Sequence, residues 1–94
     1  MIILSFKVFG KSGSGSGELS DPAGLVVDTV GTMIVADSKN HRLCVFTRDG
    51  KFVSNVSLSP DASRPSGLTL DIEKKELYML NLHGRFAMSK YKLG

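Results

Sequence analysis

Apolar residues along the chain fall into short runs cut by turn formers. Near the start, Ile2, Leu4, Phe6 and Val8 share one parity, the period-two pattern of a half-buried strand. The stretch 24–28, "GLVVD", is too short and too continuously apolar for a helix, and predicts a strand covered on both faces. Val30-Gly31 supplies a turn, 33–36 the next strand, and "DSKNH" at 37–41 a second turn before a strand at 43–46. Asp49-Gly50 is a strong hairpin signal, because both residues tolerate positive φ. The run 52–58 places Phe52, Ser54, Val56 and Leu58 on one face and Val53, Asn55 and Ser57 on a wetter one, as an outer strand requires. No segment of ten or more residues carries a 3.6-residue stripe, so helices are not expected. The prolines at 22, 60 and 65 are assigned to connections, where a missing N–H is harmless.

The pattern repeats. "DPAGLVVD" (21–28) and "RPSGLTLD" (64–71) align Pro22 with Pro65, Gly24 with Gly67 and Asp28 with Asp71, each 43 residues apart. "MIVAD" (33–37) aligns with "LYMLN" (77–81), and Arg42 with Arg85. A repeat of 40–45 residues built from four short strands predicts a β-propeller blade, and the fold class is all-β. Each Pro-x-Gly leads into the first strand of its blade. Each Asp at the end of that strand can accept backbone bonds in the turn that follows.

The stretch 22–53, "PAGLVVD…GTMIVADSKNHRLCVFTRDGKFV", resembles an NHL repeat. That family runs Pro-x-Gly-Ile-Ala-Val-Asp, then Ile-Tyr-Val-Ala-Asp-Ser-x-Asn-His-Arg-Ile-x-Val-Phe, then a Gly turn and a last strand. Residues 64–92 look like a second, degenerate repeat, with Asn81 where Asp37 stands and Gly84 where His41 stands. The resemblance implies a partial β-propeller, about two four-stranded blades of a six-bladed ring. Residues 2–9 would be the last strand of a preceding blade, 22–58 a complete blade, and 66–92 a final blade lacking its outer strand. The chain thus looks like the C-terminal part of such a domain, with the remaining blades needed for closure. Tripartite-motif RING ubiquitin ligases carry the propeller at that position and are the leading parent by resemblance. An isolated pair of blades leaves two apolar faces and a free edge, so the chain alone is expected to be poorly soluble or to assemble until a ring closes.

Composition changes this picture little. Ninety-four residues hold one small domain at most, and the hydrophobic (41%) and charged (22%) fractions are those of a globular chain. The single cysteine, Cys44, excludes an internal disulfide and a cysteine-cluster zinc site; its mid-strand place predicts a buried, inert thiol. No apolar run approaches the roughly 20 residues needed to cross a bilayer, and "MIILSFKVFG" lacks the marks of a signal peptide. A cytoplasmic location, with no membrane partner, is expected.

Candidate chemistry gathers in the turns of one edge. For Asp37, Asn40 and Arg42 the expectation is structural: Asp37 and Arg42 bridge the two strand ends, and Asn40 takes a left-handed φ. His41 and His83 occupy equivalent turns, but a catalytic zinc needs about three protein ligands, so neither a metal nor another cofactor is expected. Lys11, Lys39, His41, Arg64, His83 and Arg85 are the candidate contacts for a partner at this edge. RNA is the alternative partner, since the resemblance includes RNA-binding propellers. The edge counts Lys11, Lys39, Arg42, Arg64 and Arg85 against Glu18, Asp21, Asp37 and Asp61, less one-sided than a phosphate-tracking surface. A third reading, an enzyme of the amidating-lyase type, would need further histidines.

The resulting expectation is an interaction module without a catalytic constellation. It would hold a protein partner or ubiquitination substrate, or alternatively RNA in post-transcriptional repression. One local question remains. "KSGSGSGE" (11–18) has the composition of a flexible tether. Yet Phe9-Gly10, Gly13, Gly15, Gly17, Leu19 and Pro22 match, in order, the family's crossing from one blade to the next, with Leu19 tucking the loop down. The other crossing, 59–64, uses Pro60 instead of glycine.

Overall fold

A computed structural model of the chain describes residues 9–58, 64–81 and 88–93, with the backbone alone for 88 and 89. All but the last residue of the strand expected at 2–9, most of the 59–64 crossing, and the candidates His83 and Arg85 lie outside the described residues. Among the described residues, seven strands form two antiparallel sheets. The first contains β1 (Pro22–Val27), β2 (Met33–Asp37), β3 (Arg42–Phe46) and β4 (Phe52–Ser57), in that order across the sheet. The second contains β5 (Pro65–Asp71), β6 (Glu76–Asn81) and β7 (Met88–Lys92). Two stacked meanders, one of four strands and one of three, make a partial β-propeller.

The repeat extends to register. Pro22 pairs with Asp37 and Pro65 with Asn81, and in both blades a bulge follows before the glycine. Pro22 and Pro65 are therefore the first residues of their strands rather than part of the connections. This position costs no ladder bond, because a strand's first residue can do without its N–H.

The hairpins follow from local chemistry. In the β1–β2 turn, Asp28 accepts from the N–H groups of Val30 (3.0 Å) and Thr32 (2.9 Å), and Gly31 adopts φ +90°. The β5–β6 turn repeats this with Asp71, which accepts from Lys74 N–H at 3.1 Å. There Lys75 holds the left-handed place, at φ +54°. In the β3–β4 hairpin only Gly50 is left-handed (φ +84°), and Asp49 is not. The hairpin stands where Asp49-Gly50 marked it, with one of the two residues using its tolerance for positive φ: Gly50 N–H returns to Thr47 O at 2.9 Å, and the strand register shifts between Val45 and Phe46.

The two blades pack face to face. Ala36 and Leu43 of the first blade join Leu77 and Met79 of the second in one buried cluster, edged by Val26, Ile34, Leu58, Leu68, Tyr91 and Leu93. Gly24 sits where the blades come closest: a Cβ there would lie 3.3 Å from Leu68 N and 3.4 Å from Gly67 Cα. A second cluster, Val35, Cys44 and Phe46, lies on the opposite face of the first blade under Leu19 and Met33. Phe9 and Phe52 tilt against Phe46 at centroid distances of 5.2 and 6.2 Å.

Alternation departs from expectation in β1. Val26 faces the second blade, whereas Leu25 and Val27 are 54% and 50% exposed, so the strand is covered on one face only. All six residues of β4 are exposed on both faces, more than the one wetter face expected.

The paired turns make a prediction. Gly31→Ala puts a Cβ 2.8 Å from that of Arg48 at a φ that L-residues avoid, and should lose about 1–3 kcal/mol of stability. At the equivalent position, Lys75→Ala should change stability by less than about 0.5 kcal/mol, because a side chain already accepts that conformation. Urea unfolding of both variants checks the contrast.

Candidate functional site

The edge bearing the β2–β3 turn is built around one carboxylate. Asp37 ends β2 and is wholly buried, an arrangement that is costly unless every lone pair is met. Its Oδ1 accepts from Ser20 N–H at 2.6 Å. Its Oδ2 accepts from Asn40 Nδ2 at 2.8 Å and from Arg42 Nε at 2.9 Å. The Cys44 thiol has Asn55 Oδ1 at 3.2 Å and Asp37 Oδ2 at 3.6 Å as alternative acceptors for its one proton.

Arg42 spends the rest of its fork on backbone. Nη1 donates to Ser14 O at 3.1 Å, and Nη2 to Gly15 O at 3.0 Å and Glu18 O at 2.9 Å. Asn40 Nδ2 also reaches Gly13 O at 2.9 Å. The Ser-Gly stretch is thus wrapped onto the edge by four carbonyl bonds from two side chains. It closes on itself as well: Leu19 N–H donates to Lys11 O and Gly13 N–H to Leu19 O, both at 3.0 Å, while Glu18 Oε1 accepts from Gly15 N–H at 2.9 Å. The tether-like composition therefore forms an ordered crossing, with Leu19 packed down on the Val35–Cys44–Phe46 cluster.

The turn 37–41 is a single 3-10 turn, Ser38–Asn40, and its left-handed residue is His41 (φ +56°). The expectation that Asn40 takes this conformation is corrected, because its amide is needed for Asp37 and Gly13. Composition favoured Asn for the strained place; the competing demand of a buried carboxylate for donors decided otherwise.

Of the other candidates, Lys11, Lys39 and His41 are exposed on this edge, and Arg64 is half-buried. Arg64 N–H donates to Asn81 Oδ1 at 3.3 Å, the second blade's counterpart of the Ser20–Asp37 bond. Sequence reasoning missed the carbonyls of Ser14, Gly15 and Glu18 as partners of Arg42. The available signal was the surplus of donors on Arg42 once Asp37 takes one.

Ionisation follows this packing. Burial is the largest single influence on Arg42 and would lower its pKa, but the hydrogen bond to Asp37 and the attraction of Cys44 and Asp37 together outweigh it and hold the guanidinium pKa above the ordinary arginine value. Burial pushes the Cys44 thiol above its ordinary 9.0, against the pull of Arg42 and helped by Asp37.

Comparison with known proteins agrees with this architecture. Residues 19–46 match the NHL repeat family and are an NHL repeat. The chain is 54% identical over 46 residues to protein lin-41 of Caenorhabditis elegans, covering 49% of this chain and 4% of that protein. It is 50% identical over 46 residues to the RING finger protein nhl-1 of the same organism, covering 49% of this chain and 5% of that protein. It is 39% identical over 44 residues to the protein brain tumor of Drosophila melanogaster, covering 47% of this chain and 4% of that protein. The matched segment is thus about half of this chain and a small fraction of each relative.

Two outcomes follow from the geometry. Arg42→Ala leaves the buried Asp37 charge short of a partner and should cost about 3–5 kcal/mol; Arg42→Lys should recover only part, since an ammonium cannot serve Asp37 and three carbonyls together. Hydrogen exchange at Gly13 and Leu19 should accelerate in both variants. For Cys44 the folded pKa lies above the unfolded one, so its neutral form contributes full stability below the ordinary thiol value, and that stability is lost as pH rises through the folded pKa. Unfolding free energy should therefore fall with rising pH above about 9, and Cys44→Ser should make that fall shallower in a pH series of urea melts.

Proposed function

We propose that the chain is a binding module whose loop-bearing edge holds a protein partner, and that in a longer parent it presents a substrate to a RING-type ubiquitin ligase. The observation that carries this reading is the locked Ser-Gly loop. Arg42 and Asn40 consume its inward carbonyls, so Lys11, Ser14, Ser16 and Lys39 are displayed on a fixed backbone. A surface ordered before binding loses less entropy when a partner docks. The name of one relative, a RING finger protein, supports the ligase setting for the parent. Binding is this chain's contribution, and the transfer chemistry belongs to other parts of that parent.

Charge favours a protein over RNA. With Asp37 and Arg42 paired, the described edge offers Lys11, Lys39 and Arg64 against Glu18 and Asp21. Affinity for a polyphosphate chain calls for a more one-sided surface. The balance suits a partner of mixed charge.

The test is capture of partners by the immobilised chain, with and without ribonuclease. Protein capture that survives ribonuclease, and that weakens at least tenfold in Ser16→Arg and Lys39→Glu, is the expected result; both side chains lie clear of the Asp37 network. Capture abolished by ribonuclease, together with single-stranded RNA binding that falls steeply between 50 and 200 mM salt, as phosphate contacts dictate, would overturn it in favour of RNA.

A further inference from the structure

The interface between the two blades is also a template for what the chain's outer faces can bind. On the first blade, that interface is made by Gly24, Val26, Ile34 and Ala36; on the second, by Leu68, Leu77 and Met79. The repeat register carries each set onto an outward face. The counterparts of Gly24, Val26, Ile34 and Ala36 are Gly67, Thr69, Tyr78 and Leu80, which line an apolar depression on the far side of the second blade. The counterparts of Leu68, Leu77 and Met79 are Leu25, Met33 and Val35 on the far side of the first blade, where Leu25 and the neighbouring Val27 stand about half exposed.

We infer that a second copy of this chain docks head to tail, its first blade's Leu25–Val27 face seated on the Gly67–Leu80 face of the first copy. Two features carry this. The contact continues an interface that the fold already forms, with the same strand in the same role on each side. The backbone approach is possible: Gly67, like Gly24, has no side chain, and among the described residues a Cβ there would meet its own Leu80, at 3.6 Å. Such a contact is heterologous, so it adds copies until the rotation closes a ring or continues as an open array. This inference is independent of the proposed partner-binding role, because it uses the blade faces and not the loop-bearing edge.

Sedimentation velocity of the full chain and of two face variants tests it. Gly67→Lys blocks the second blade's outer face, and Leu25→Lys blocks that of the first; Gly67 meets the first blade through its backbone, while an added side chain there would lie beside Leu80 of its own blade. The wild-type chain should show mass rising with concentration. Each variant should be monomeric at concentrations where the wild type associates. An equimolar mixture should yield a species of twice the monomer mass, because one intact face remains on each variant and the two are complementary. Far-UV circular dichroism confirms the fold, and Thr69→Lys with Val27→Lys provides a second pair should either first variant unfold. A wild-type monomer at every concentration, continued association of either single variant, or a mixture that stays monomeric would overturn the inference.

Discussion

The buried carboxylate of Asp37 is the constraint around which the first blade is arranged. Removing a carboxylate from water costs several kcal/mol before any partner is counted. The cost is met by converging donors from three parts of the chain: the entry to β1 through Ser20, the turn through Asn40, and the start of β3 through Arg42. Each donor ties a different segment to the same point. One buried charge therefore sets the angle of the incoming crossing, the shape of the β2–β3 turn and the position of the arginine that clamps the Ser-Gly loop. An apolar residue at this place could match the burial energy but could not specify this geometry.

The second blade shows which part of that arrangement is indispensable. Asn81 holds the position of Asp37 and is also buried. Its side-chain oxygen keeps the bond to the backbone N–H entering the blade, now from Arg64. What the amide gives up is charge. From the sequence, Asn81 in place of Asp37 looks like decay of the motif. In the structure the acceptor survives the change, because closing the entry of β5 onto the end of β6 requires an oxygen and not a negative one.

Strands, hairpin positions and the repeat were legible from sequence because they rest on local rules: parity of apolar residues, Asp and Gly at turns, and a period near 43 residues. The repeat also made Gly24 legible as a special position, although its reason, backbone-to-backbone approach between blades, is visible only once β5 is in place. What escaped were choices decided between segments distant in sequence. His41 rather than Asn40 bends left-handed because Asn40 is engaged 27 residues away at Gly13. Leu25 and Val27 read as fully buried because their run is continuous, yet their side of β1 stands about half exposed. Local pattern reports what a strand is suited to touch, and tertiary structure decides what it touches.

That distinction also bears on where specificity resides. The most recognisable residues of the repeat, Asp37, Asn40 and Arg42, direct their polar atoms inward, to one another and to loop carbonyls. They fix a backbone but present little of themselves to a partner. The Ser-Gly crossing has the opposite character: its composition specifies no shape, and its shape is imposed from below by the motif. Side chains such as Ser14, Ser16 and Lys39 therefore stand on a rigid frame without being part of it. They can change without loosening the blade, whereas a change at Arg42 releases the whole loop. A module of this design separates the residues that hold the surface from those that give it an identity, which allows one fold to serve different partners by substitution at the exposed positions alone.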